Sequence, residues 1–398
     1  MKRSIVKLSL GMALLAVAYS CSKDDSNTPD PQAATCDDGI QNGDETGVDC
    51  GGSACEPCAV DNILEGDVTT DVTLDAAIGY ELAGAYVVRS GASLTIPAGT
   101  VISATGGTSA YIAVERGAQI FINGNASAPV VMTSGASNPA PGDWGGLVVC
   151  GDAPTNKGSN VTSEVADLTY GGSNMMDNSG SIRYLRVEYT GATFSNDKEF
   201  NGVSLFGVGA GTTFEYVQSY QGGDDGIEFF GGTVSGDYLV STGSGDDSID
   251  FADGWQGSGS YWYIKDGAKA GIEGSNNGDD GNASPVTTTM LSNITVVGPV
   301  TEGALYFKEG GGSFTITNFY TDAVDLGVKV KDTDAEAAVR IENGDLSINP
   351  MQFDNPAAGF EITDYIGANQ SFVVEGPTSG AGNGAAAPSW ASGWTSGL

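Results

Sequence analysis

No histidine occurs anywhere in the 398 residues. Without imidazole the chain has no Ser-His-Asp triad, no His-ligated metal and no side chain that ordinarily titrates near neutral pH. Cations are scarce too: 16 Lys and Arg stand against 50 Asp and Glu, a formal charge of -34. A body this anionic repels phosphate backbones, which excludes nucleic acid as a partner. Long apolar runs are also missing. The run from Leu8 to Ala18 falls well short of the roughly 20 residues of a spanning helix, and no useful amphipathic helical period follows it. What the chain has in excess is glycine, 60 residues without a collagen period, about twice the usual ~7%. With 40% hydrophobic residues, this composition suits a cored fold made of many tight turns.

Lys2, Arg3 and Lys7 precede the apolar run, so residues 1–20 have the layout of an export signal. The run ends at Ala18-Tyr19-Ser20-Cys21, which resembles a bacterial lipobox with Cys21 as the lipidated first residue. The alternative is a soluble secreted protein cut near Ser20. Ser22-Lys23-Asp24-Asp25 resembles the acidic export tag of Bacteroidota surface lipoproteins. That resemblance implies an outer-membrane lipid as partner at Cys21 and a location on the cell surface. Residues 21–35 have little to bury and read as a flexible tether.

Four of the six cysteines, Cys36, Cys50, Cys55 and Cys58, crowd into residues 36–58, a stretch too polar to hold shape unless stapled. In an exported protein they read as two disulfides of unspecified pairing; the rival is a four-thiolate zinc site. The oxygen donors Asn42, Asp44, Thr46 and Asp49 resemble an alternate-position calcium loop, although the EF-hand pattern is not met. Cys150, ending a strand-like run, reads as a buried thiol.

From about residue 80 the chain repeats itself. Val88–Ile96 matches Val114–Ile122, and Val203, Ile227, Ile249 and Ile272 anchor a second motif at intervals of 22–24 residues. Short strands such as Glu215-Tyr216-Val217 and Asp237-Tyr238-Leu239 lie between them, and a weaker copy returns at Leu305 and Val328 after a polar insertion at 275–285. Tandem units of this length, with strand alternation and Gly/Asp/Asn turns, predict a β-solenoid over residues 59–375. The pattern resembles an all-β, right-handed parallel β-helix of the pectate-lyase-like type. A β-sandwich or propeller is the alternative, but neither accounts for the tandem period. Residues 376–398 form a Gly/Ala/Ser-rich tail in which Trp390 and Trp394 are expected to cap the open solenoid end. Gly142-Asp143-Trp144-Gly145-Gly146 and the Asp-Asp-Gly-Ile-Glu motif together resemble β-helix lipoproteins of Bacteroidota without an assigned activity.

Gly223-Asp224-Asp225-Gly226-Ile227-Glu228 recurs 22 residues later as Gly245-Asp246-Asp247-Ser248-Ile249-Asp250. In a solenoid, Asp224 then lies over Asp246, Asp225 over Asp247, and Glu228 over Asp250 and near Glu273. Carboxylates ~4.8 Å apart repel by roughly 3 kcal/mol at an effective dielectric near 20. Calcium, which takes 6–8 oxygens, offsets that repulsion. Otherwise the aspartates cap their own turns and point apart. Asp253 and the loop carrying Asp279 and Asp280 are further oxygen donors.

The Gly-Asp-Asp pairs resemble those of polygalacturonase-like hydrolases, which implies Asp225 and Asp246 as acid and base. That family's Gly-His-Gly and Arg-Ile-Lys motifs are absent. The resemblance to calcium-dependent polysaccharide lyases implies Ca2+ on Asp225, Asp247 and Asp250, with Lys265 as base. Nearby carboxylates raise rather than lower the pKa of such a lysine. The favoured expectation is a non-enzymatic, lipid-anchored, calcium-stabilised surface protein that binds a polysaccharide or a partner protein. Trp255, in Gly254-Trp255-Gln256-Gly257, is expected to be the best exposed aromatic for sugar stacking. Tyr216, Tyr238, Trp262 and Tyr263 read mainly as core or stacking ladders.

Overall fold

A computed structural model describes residues 35–58, 62–195, 198–331, 333–356 and 361–398. The signal, Cys21 and the tether up to residue 34 lie outside the described residues. Two compact units divide at Asp61 and Asn62.

In the first unit, disulfides join Cys36 to Cys55 and Cys50 to Cys58, which excludes the zinc alternative. The oxygen donors there are occupied locally. Asp49 accepts the backbone N–H groups of Asp38 and Gly39, and Asp44 accepts that of Ser53. The carboxylates thus set turns in a segment with no apolar core to shape it.

The second unit is a parallel β-helix. Val203–Phe206, Ile227–Phe230, Ile249–Ala252, Ile272–Ser275, Leu305–Lys308 and Val328–Val330 stack in one register, with Val203, Ile227, Ile249, Ile272, Leu305 and Val328 aligned in a column. Every ladder of this stack is parallel, which excludes the sandwich and propeller alternatives. The anchors are fully buried, each worth about 1.5–3 kcal/mol of apolar burial. The early repeat behaves likewise, with Val88 paired to Val114 and Leu94 to Ile120.

The longer strands Gly180–Glu188, Thr213–Tyr220, Gly236–Thr242, Ser258–Lys265, Thr288–Val297 and Ser313–Asp322 supply the other faces. Each bends at one non-glycine residue with positive φ: Tyr184, Tyr216, Tyr238, Tyr261, Asn293 and Asn318. The four tyrosines form a ladder with ring centroids 4.3, 4.4 and 4.9 Å apart and near-parallel planes.

Three expectations are corrected. Trp255 is fully buried rather than exposed: its ring packs between Phe229 and Phe251, and its indole N–H donates to the Val234 carbonyl. The tail does not cap an end. It runs back along the flank of the coils, with Thr378 on Gln352, Gly380 on Asn318, Ala381 on Thr295, and Ser396 on Gln218. Trp390 lies edge-on to Tyr238, and Trp394 edge-on to Tyr184 and Tyr216, so both indoles cover the tyrosine ladder. Finally, an α-helix occupies Ala335–Asn343, N-capped by Asp334 and closed by Gly344 at positive φ. Its two buried residues, Ala337 and Ile341, sit four apart on one face.

Candidate metal centre

The acidic motif falls at the corner where the longer strands lead into the short-strand stack. Gly245 and Gly226 make this corner possible. A Cβ at Gly245 would lie 2.1 Å from the Gly223 carbonyl oxygen, and one at Gly226 would lie 2.4 Å from that of Ser248. Only glycine lets successive corners approach so closely.

The stacking places like residues together. Glu228 pairs with Asp250, and Asp250 with Glu273, in the ladder. Asp225 Oδ1 accepts the Asp247 N–H at 2.8 Å, and Asp247 Oδ1 accepts the Ala270 N–H at 2.5 Å, so each carboxylate caps the next coil. Two groups of carboxylates have ligand oxygens within 4.8 Å of one another: Asp224, Asp225 and Asp246, and Asp225, Glu228 and Asp250. Asp225, Glu228 and Asp250 are buried, while Asp224 and Asp246 are half-buried.

Asp247 and Glu273 lie outside both groups. Glu273 is held by the Lys308 ammonium at 2.7 Å. Lys269, which follows Asp246 in the stack, bonds the Asp246 carboxylate. Lys265 is elsewhere: its ammonium reaches the Gly397 carbonyl and Asp266. The cations at this cluster are therefore Lys269 and Lys308. Aligning Gly245-Asp246-Asp247 with Gly267-Ala268-Lys269-Ala270 shows Lys269 one coil on from Asp246, a signal the acidic motif itself obscures.

Burial and mutual repulsion raise the carboxyl pKa values of Asp224, Asp225, Glu228, Asp247 and Asp250. Burial is the larger cause at Asp225, Glu228 and Asp250, followed by Asp247, Asp250 and Glu273 respectively, and all three stand well above the usual range. Asp224 is pushed to about 7, by burial and then Asp246, and Asp247 to about 9, by burial and then Glu273. Asn201 donates to Glu228 Oε2 at 2.6 Å. Asp250 Oδ1 and Ser204 Oγ are buried with no hydrogen-bond partner among the described residues. A buried oxygen left in that state costs ~1–3 kcal/mol, more when charged. An all-oxygen donor set without histidine suits a hard cation such as Ca2+.

Asp253, Asp279 and Asp280 are not in either group. Asp253 is raised to about 6 by burial, with Lys157 opposing the shift. Lys157 also bonds Asp279 at 3.0 Å, and Asp280 accepts the Asn282 N–H. Beside them the excursion carrying Val165, Leu168 and Tyr170 packs over Cys150, Phe206 and Phe230, covering part of the outer face of the short-strand stack. A cavity of about 360 Å³ opens there, lined by Lys157, Glu164, Tyr170, Phe230, Asp253 and Glu309 among others. Cys150 is fully buried and its thiol is pushed up to about 12 by burial.

A family model described as a pectate-lyase-like β-helix domain matches residues 66–395. The chain belongs to that family. Searches of curated proteins and of solved structures find no match.

Proposed function

We propose that this pectate-lyase-like β-helix is a non-catalytic surface protein, anchored to outer-membrane lipid through Cys21 and stabilised by Ca2+ in its acidic column. Its rigid flanks present a binding face to a polysaccharide or a partner protein. The observation that carries the calcium reading is Asp250, a buried carboxylate with an unpartnered oxygen beside Asp225 and Glu228. A divalent cation offsets both the missing partner and the repulsion.

Three features support a non-catalytic role. Asp225 is buried, so a sugar chain does not reach it. Asp225 and Asp246 oxygens approach within 4.8 Å, closer than the roughly 6.5–9.5 Å that an inverting hydrolase needs. Lys265, the base a lyase would use, is turned to the tail. The lipobox-like Ala18-Tyr19-Ser20-Cys21 and the acidic stretch after it support the anchor.

Thermal unfolding with EDTA and with added Ca2+ tests the ion: a large upward shift with Ca2+ supports it, and superimposable curves refute it. Incubation with pectin, alginate and polygalacturonate tests the rest. Retention without turnover supports a binder, whereas ultraviolet-absorbing unsaturated product or new reducing ends overturn the non-catalytic reading. Membrane fractionation of Cys21→Ser tests the anchor, which predicts release into the soluble fraction.

A further inference from the structure

We infer that the acidic column is a two-ion centre bridged by Asp225, with an inner Ca2+ on Asp225, Glu228 and Asp250 and an outer Ca2+ on Asp224, Asp225 and Asp246. The inference rests on the calcium reading above and specifies the stoichiometry and accessibility of that site.

Oxygens of each trio lie within 4.8 Å of one another, which fits a sphere of ligands at about 2.3–2.6 Å from one Ca2+. The trios share only Asp225. One oxygen of Asp225 accepts the Asp247 N–H, and its other oxygen accepts no hydrogen bond among the described residues, so the carboxylate has capacity for two ions. Asp250 Oδ1 and Ser204 Oγ, both more than nine-tenths buried and unpartnered, stand on the inner side. Ser204 pairs with Glu228 in the ladder and so projects from the same face of the stack.

Charge gives an independent reason for two ions. Among the described residues, the column of Asp224, Asp225, Glu228, Asp246, Asp247, Asp250 and Glu273 forms ion pairs only with Lys269 and Lys308. With all seven carboxylates ionised, as a metal-filled column requires, two ammonium groups leave five negative charges, of which a single divalent ion balances two. A second brings the column close to neutrality.

The two ions differ in exposure. The inner trio is buried, so its ion is sealed, and the irregular coordination that Ca2+ tolerates suits it better than the strict, hydrated octahedron of Mg2+. The outer trio is half-exposed at Asp224 and Asp246, so its ion keeps positions open to water or to an oxygen of a bound partner. Lys269 already bonds Asp246 and competes for that place, which makes the outer ion the weaker one.

Calorimetric titration of the EDTA-stripped, dialysed full chain with Ca2+ tests this. Two sites per chain are expected, one tight and one weak. Asp246→Asn is expected to remove the weak site alone, Asp250→Asn the tight site alone, and Lys269→Met to strengthen the weak site by about tenfold. Lys269→Met removes a charge without introducing a buried polar group, so it keeps the test open if a carboxylate variant fails to fold. A single Ca2+ per chain, or loss of the same site in both Asp variants, overturns the two-ion centre while leaving the calcium reading intact. No binding at all overturns both.

Discussion

Two corners of this β-helix use the same stacking device with opposite electrostatic outcomes. At one, Tyr184, Tyr216, Tyr238 and Tyr261 stack face to face at 4.3–4.9 Å, and their contact is attractive. At the other, Asp224, Asp225, Glu228, Asp246 and Asp250 crowd within 4.8 Å in two overlapping trios, and their contact is repulsive. The coil spacing is common to both, so side-chain chemistry alone decides what each column needs. The aromatic column needs a cover from water, which Trp390 and Trp394 provide from the tail. The acidic column needs positive charge, of which Lys269 and Lys308 supply only part.

Experiments that perturb one column while sparing the other sharpen this contrast. The largest effect is expected from chelation. If Ca2+ is present at ~1,000 times its dissociation constant, removing it costs about 4 kcal/mol per site. For a unit of this size that lowers Tm by roughly 10 °C, read by scanning calorimetry. Next is Trp394→Ala. The fully buried indole covers two tyrosines, and its loss is expected to cost about 3–5 kcal/mol. The Ca2+-dependent increment should not change, because the ring partners of Trp394 are Tyr184, Tyr216 and Trp390 rather than the acidic residues.

Asp250→Asn is expected to change sign with conditions. In EDTA, at a pH high enough to ionise the column, it removes a buried unpartnered charge and stabilises by about 1–3 kcal/mol. In saturating Ca2+ it removes a ligand and destabilises by a similar amount. Paired denaturant curves, with and without Ca2+, read both signs. The smallest effect is expected from Tyr216→Leu, which breaks two stacks at a cost of about 1 kcal/mol and leaves Ca2+ titration unaltered.

The repeat was the most legible part of the sequence. Because a solenoid stacks like on like, spacings of 22–24 residues were enough to align Val203, Ile227, Ile249 and Ile272, and with them Glu228, Asp250 and Glu273. What remained hidden depends on contacts distant in sequence. Gly254-Trp255-Gln256-Gly257 reads as an exposed turn, yet the ring folds inward because Phe229 and Phe251 from neighbouring coils form a slot for it. The tail reads as low complexity, and only its meeting with Asn318, Thr295 and Gln218 shows it as a strap. The cover over Phe206 and Phe230 comes from residues that carry no repeat. Pairing of the four clustered cysteines was not legible either, since their spacing permits all three connectivities. The helix at Ala335–Asn343 had a readable signal in Asp334 and Gly344 at its ends, but its nine residues are too few for a persistent period.

The most direct test follows Tm of the full chain from pH 5 to pH 9, once in EDTA and once in millimolar Ca2+. Carboxyl pKa values raised in the folded state mean that the native chain holds more protons than the unfolded one, so metal-free stability is greatest at low pH and is lost as pH rises. The loss is expected to begin just above the ordinary carboxyl value of 3.8 and to end in steps, at about 6 for Asp253, about 7 for Asp224 and about 9 for Asp247. The fall is therefore steepest at the acid end of the range. With Ca2+ bound, the carboxylates of the two trios stay ionised without cost, and Tm is expected to fall much less across that range, the remaining fall coming from groups outside the trios such as Asp253. Coincident curves in EDTA and Ca2+ would contradict a stacked carboxylate column that depends on a counter-ion.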